Sequence, residues 1–148
     1  MINWATKHFN ELSPHELYAI MQLRNEVFAV EQNCVYPDAD NRDQPAYHLM
    51  GWMNEKLVAY ARLLPPGIAF PDHPSIGRVV TSASARGKGI GKELMKQSIE
   101  HVERLFGKSS IKIGAQLYLK NFYTELEFQQ SSDVYLEDGI EHIEMIRQ

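Results

Sequence analysis

The run Ile76-Gly77-Arg78-Val79-Val80-Thr81, followed by Arg86-Gly87-Lys88-Gly89-Ile90-Gly91-Lys92, constrains this chain more than any other stretch. The first part is β-branched and apolar at its centre, which predicts a buried strand. Ser82-Ala83-Ser84-Ala85 is a short connection of small residues, and a long amphipathic pattern begins at Ile90. Strand, glycine-rich turn and helix in that order make an anion cradle. The first helical N–H groups lack intrahelical partners and together carry about half a positive charge. Glycine lets a ligand approach that main chain closely. Spacing then decides between phosphate-binding patterns. A Walker A loop requires glycine where Arg86 stands and Ser or Thr where Glu93 stands, and a dinucleotide fingerprint requires glycine where Lys92 stands. Both fail. What remains is Arg-x-x-Gly-x-Gly, at Arg86, Gly89 and Gly91.

Composition narrows the partners. A net charge of −4 over 148 residues argues against nucleic acid, whose contacts need clustered Lys and Arg. Arg78, Arg86, Lys88, Lys92 and Lys96 nevertheless lie close together in sequence around the glycines. A local basic group on an acidic chain suits a small phosphorylated ligand. The one cysteine, Cys34, excludes an internal disulfide, and the six histidines show no metal-ligand spacing. No run approaches 18 apolar residues and no leader pattern opens the chain, so the expectation is a cytoplasmic protein without a membrane partner. The length suits one domain over residues 1–148.

In chain order, Trp4 to Phe9 reads as a strand. Ser13-Pro14-His15-Glu16 is a helix start with a capping box, and Leu17, Ile20, Met21, Arg24, Val27 and Phe28 follow at helical spacing. Cys34 to Pro45, with Asp38, Asp40 and Asp43, reads as a loop. Strands are predicted over 46–53 and 57–64 around a tight turn at Asn54-Glu55. The helix from Ile90 ends at Phe106, with Gly107 closing it. Residues 110–115 form another strand and 117–126 a helix. Residues 128–137 and 140–146 make a last antiparallel pair around Asp138-Gly139. The order is β-α-β-β-β-α-β-α-β-β, an α/β fold with a mixed central sheet and helices on both faces.

The loop motif and this element order together resemble the GNAT superfamily of N-acyltransferases. The resemblance extends to Gln116-Leu-Tyr-Leu-Lys-Asn-Phe-Tyr123, where a Gln precedes a Tyr by seven positions. That segment ordinarily ends Gly-Phe, whereas here Glu127-Phe128 stands, a local cost of roughly 1 kcal/mol or less. The front segment Leu23 to Cys34, with Tyr36, Asp40, Asp43 and His48, and the tail Tyr135 to His142, resemble the ElaA-like branch.

The resemblance implies the GNAT acyltransferase fold, acetyl-CoA as co-substrate, no metal, and direct acetyl transfer to an amine in a ternary complex. It implies that the fourth strand splays from the fifth. Main-chain groups of Arg78, Val79, Val80 and Thr81 would meet the pantetheine arm, with Gln116 in the cofactor segment. Arg86, Gly87, Lys88, Gly89, Ile90, Gly91 and Lys92 would hold the pyrophosphate.

A Lys-type ammonium has a pKa about 10.4, so freeing its lone pair at neutral pH takes about 4 kcal/mol. A general base offsets part of that. Glu31, His48 and His142 compete for the role. Glu31 follows an apolar run where a carboxylate would be partly buried, and solvated surface or structural roles stand as the alternatives for all three. Tyr123 occupies the family position of the acid that protonates the departing thiolate; the alternative is a packed helix tyrosine. Cys34 has neither a partner nor an assured base. Glu31, Gln32 and Asp40 from the front, and His142 and Glu144 from the last strand, would border the acceptor cleft. Glu31 and His142 are expected on facing walls, with His48 bonded to one of them.

The leading function is thus an acetyl-CoA-dependent N-acetyltransferase acting on a small-molecule or peptide amine. A non-catalytic acyl-CoA sensor and a nucleotide-binding module are the rivals, and a homodimer stays open.

Overall fold

A computed structural model describes residues Met1–Gln148. Ser13 caps α1 (Pro14–Arg24) through a capping box with Glu16. The backbone then widens into a π-helical turn over Asn25–Glu31, marked by Gln32 N–H donating to Val27 O at 2.8 Å. The apolar spacing foresaw helix to Phe28 without this widening, because Val27 stays buried either way. Such insertions recur at functional sites. This one delivers Glu31 and Gln32 to the cleft described below.

β1 (Asn3–His8), β2 (Tyr47–Met53), β3 (Lys56–Leu64) and β4 (Ser75–Thr81) form an antiparallel sheet in chain order. Asn54 and Glu55 both take positive φ, as a two-residue hairpin turn demands. β3 is buried from Leu57 to Leu64 because helices cover both sheet faces. α2 (Ile90–Phe106) ends at Gly107, the boundaries its apolar periodicity predicts. β5 (Ile111–Gln116) follows, then a 3-10 turn (Leu117–Leu119) leading into α3 (Lys120–Thr124). β6 (Gln129–Gln130), β7 (Tyr135–Glu137) and β8 (Ile140–Arg147) complete the chain. The strand expected over 128–137 is broken: β6 and β7 pair with separate parts of β8. Between them Ser131 and Ser132 bond to Glu144 instead of continuing a regular ladder. Glu127, standing where the family has glycine, is held at φ 72, the strained conformation its sequence position implies.

The expected mixed sheet is divided in two. Sheet one is β1-β2-β3-β4, and sheet two contains β5, β8, β6 and β7. β4 and β5 meet only near their starts, where Lys112 N–H donates to Pro74 O at 3.1 Å, and no ladder pair joins them beyond it. The sheets fork there. One apolar cluster packs α2 and α3 against both sheets through Leu94, Met95, Ile113, Phe128 and Ile143. A smaller one packs α1 on the other face of sheet one through Ile20, Leu23, Tyr60 and Val80. Full burial of an aliphatic or phenylalanine side chain of this kind contributes roughly 1.5–3 kcal/mol. The two clusters brace the fork from opposite faces.

Candidate active site

A cleft of about 760 Å³ opens in the fork. β4 supplies one edge, and its ladder with β3 carries a bulge: Tyr60 faces Val80 and Arg62 faces Gly77, leaving Arg78 and Val79 opposite a single residue. Arg78 takes φ 49 there, a left-handed conformation costing roughly 1–2 kcal/mol for a residue with a Cβ. The bulge turns Val79 toward the α2 cluster and Arg78 toward the loop after α1, where it meets Asp38 and Asp40. Arg78 therefore leaves the basic group that the linear sequence suggests around the glycines. Arg78, Val79, Val80 and Thr81 all line the cleft, as do Arg86, Gly91, Gln116 and Tyr123.

At the N-terminus of α2, Gly89 is the N-cap with φ 75, and a Cβ there would meet nothing within 4 Å. The open approach and the free helical N–H groups fit a phosphate-bearing group. Gly87, Lys88, Gly89 and Lys92 are exposed on this loop outside the cleft lining, while the Ile90 side chain is buried in the core, leaving its backbone to face a ligand. Arg86 donates to Thr81 O at 3.0 Å and pairs with Glu31 at 2.6 Å. Glu31 is exposed and ion-paired, not partly buried as its apolar neighbours suggest.

His48 is a correction. It is fully buried and lies outside the cleft lining, bonded to neither Glu31 nor His142. Its Nε2–H donates to Asp43 O at 2.9 Å, so Nδ1 must accept from the Tyr60 hydroxyl at 2.6 Å. Burial lowers its pKa, keeping the ring neutral with both nitrogens engaged. No lone pair is left for a substrate. Asp40 also leaves the acceptor set. It pairs with Arg62 at 2.8 Å and lies outside the cleft lining.

Residues that sequence reasoning passed over hold this wall together. Arg24, buried on the core face of α1, donates to Asp38 and Asp43 at 2.8 Å each. Arg62, buried in β3, bonds Asp40 and Asp43. Burial raises the Asp40 pKa, but the hydrogen bonds and charge of Arg62 outweigh it and hold the carboxyl at about 2. For Asp43 burial also raises the pKa, and Arg24 and then Arg62 bring it below the ordinary value. The signal was present: an arginine at a helical core position and another inside an apolar strand each demand a buried acid. Asp38, Asp40 and Asp43 in the loop after α1 are those acids.

On the other sheet, His142 pairs with Gln116 across β5–β8 and lines the same cleft as Glu31. Its Nδ1–H donates to Ile140 O at 2.7 Å, which puts the neutral ring's lone pair on Nε2. Glu137 lies 3.8 Å from Nε2, and Tyr135 stacks on the ring. Gln32 and Gln116 exchange amide hydrogen bonds at 3.3–3.5 Å, bridging the front segment and β5. Tyr123 packs edge-on between Phe122 and Phe128, its hydroxyl without a protein partner. Burial raises its pKa, so it stays protonated at neutral pH. Glu144 pairs with Lys112, and Cys34 lines the cleft half-buried with no side-chain bond.

The sequence profile described as an Acetyltransferase (GNAT) domain matches residues 12–148. The chain belongs to the GNAT acetyltransferase family. Within it the chain is 43% identical to Protein ElaA of Escherichia coli over 150 residues, covering 100% of this chain and 97% of that one. The crystal structure of E. coli ElaA superposes with a TM-score of 0.92 at 42% identity, over the full length of both chains. An acyl-CoA N-acyltransferase from Pseudomonas aeruginosa superposes at 0.95, with 42% identity over both full lengths. This GNAT chain is an N-acetyltransferase of the ElaA-like branch, and its forked sheets are the family's fold. No helix is long and apolar enough to cross a membrane.

Proposed function

We propose that the protein, as one GNAT domain over residues 1–148, moves the acetyl group of acetyl-CoA to the amine of a small molecule or peptide by direct attack in a ternary complex. Acetyl-CoA supplies the acyl group activated as a thioester. The α2 N-terminus, with Arg86 and Gly87 to Lys92, holds the pyrophosphate, and the main chain of Arg78 to Thr81, with Gln116 nearby, lines the pantetheine path. His142 Nε2 removes a proton from the incoming ammonium, with the Glu137 carboxylate 3.8 Å away. The Tyr123 hydroxyl holds the proton required by the departing sulfur.

The observation that carries this reading is the His142 tautomer. Its Nδ1–H is committed to Ile140 O, which leaves Nε2 as an acceptor in a cleft that Tyr123 also lines. Glu31 stands behind His142 because it is exposed and engaged by Arg86.

The test follows thioester consumption with a panel of amines. His142→Ala is expected to lower kcat/KM at least tenfold, with partial rescue by imidazole. Tyr123→Phe is expected to lower kcat with CoA affinity nearly intact, since only a transition-state contact is lost. Tight CoA binding without thioester consumption for any amine overturns catalysis and favours an acyl-CoA sensor.

A further inference from the structure

The cleft has a second charged wall that the transfer step leaves unused. Arg78 Nη2 donates to Asp38 O at 2.9 Å, and its Nε lies 2.9 Å from Asp38 Oδ1, out of line for a hydrogen bond. Arg78 is 21% exposed, and its Nη1 neither bonds the protein nor is sealed inside it. Arg42 lines the same cleft, exposed, and only its backbone N–H is bonded, to Asp40. Arg24, Arg62 and Arg78 pair only with Asp38, Asp40 and Asp43, and the Arg42 guanidinium pairs with no acid, so this wall carries an excess positive charge. The wall made by β7 and β8 is the reverse. Glu137, Asp138 and Glu144 line it, with Lys112 and His142 as the basic groups bonded there.

We infer that the acceptor is an amino acid, its ammonium directed to the His142 wall and its carboxylate taken by Arg78 Nη1 and Arg42. The inference rests on the reading of this cleft as the acyl-transfer site. Guanidinium groups are suited to a planar carboxylate, and the strained bulge serves to present one of them. A cofactor pyrophosphate does not account for this wall. The cradle lies at the α2 N-terminus, on the Val79 face of β4, whereas Arg78 turns to the loop after α1. A polyamine would meet the arginines with like charge, and a simple monoamine would leave them unmatched.

The experiment uses the full chain, acetyl-CoA and a thiol-release assay. Free amino acids with α- or ω-amino groups are compared with their amides and with the corresponding decarboxylated amines. At least one amino acid is expected to exceed its amide by about tenfold or more in kcat/KM. Arg42→Ala removes no side-chain hydrogen bond or ion pair within the protein, so it is expected to fold; it should raise KM for the amino acid about tenfold and collapse discrimination against the amide. Amides and decarboxylated amines turned over as fast as amino acids would overturn the carboxylate subsite while leaving acyl transfer standing. So would an unchanged ratio in Arg42→Ala. Consumption of no amine at all would sink the acyl-transfer reading, and this inference with it.

Discussion

On the α2 side of the fork, the groups proposed to meet a ligand are backbone atoms of near-contiguous residues, Val79 to Thr81 and Arg86 to Gly91. On the α1 side they are the side chains of Arg42 and Arg78, the latter held by a network that reaches back to Arg24. The first wall needs only the right local conformation: a strand end, a glycine at φ 75 and a helix start. The second needs six charged side chains to find one another, Arg24, Arg62 and Arg78 with Asp38, Asp40 and Asp43. Damage should therefore spread differently. A lesion in the cradle stays a binding defect, while a lesion in the arginine–aspartate network becomes a folding defect.

The sharpest break in that contrast is Asp43→Ala. Asp43 bonds both Arg24 and Arg62, which are 0% and 3% exposed, so its loss leaves buried positive charge without compensation. Denaturant titration is expected to show a loss of about 3–5 kcal/mol. Acid should do the same by degrees. Asp40 and Asp43 are depressed in the folded state below an ordinary 3.8, so their contribution is complete above that value. It is lost as pH falls through the folded pKa, which for Asp40 is about 2. Wild-type stability should therefore decline below about pH 4, and the Asp43→Ala slope should be shallower. Parallel slopes would disconnect the network from acid stability.

A smaller effect of a different kind is expected from Gly89→Val. The variant strains a φ of 75 and fills space that is open in the protein. CoA affinity measured by calorimetry should fall more than tenfold, over about 1.4 kcal/mol, on a chain that still unfolds cooperatively. An unchanged Kd would remove the cradle from this loop. A variant that failed to fold would erase the contrast between the two walls.

The smallest effect belongs to Glu31→Gln. Glu31 and Arg86 are 43% and 41% exposed, so their pair contributes little. Stability should change by less than about 0.5 kcal/mol and kcat/KM by less than about threefold. A fall on the order of a hundredfold would move the base from His142 to Glu31.

What could be read without the fold follows the same division. α2 was legible to the residue because its apolar period, glycine-rich start and Gly107 are local properties. The hairpin turns at Asn54-Glu55 and Asp138-Gly139 were legible for the same reason. The interruption between β6 and β7 was not, since it depends on which part of β8 each piece pairs with. Nor was the π-helical widening after Arg24, which leaves the apolar spacing intact. His48 shows the limit most plainly. As a histidine near a strand start it was as good a base as His142, and only Tyr60 and the Asp43 carbonyl, closing on both its nitrogens, remove it.

Chain order and residue type were sufficient for the family, for most of the element order and for the glycine-rich start of α2, because each is set by neighbours a few positions apart and by backbone geometry. The direction of Arg78, the exclusion of His48 and the charge of each cleft wall depended on tertiary contacts. In each of those cases the deciding partner is a side chain or carbonyl brought near by the folded chain, and burial there makes an unmatched polar group too costly to leave alone.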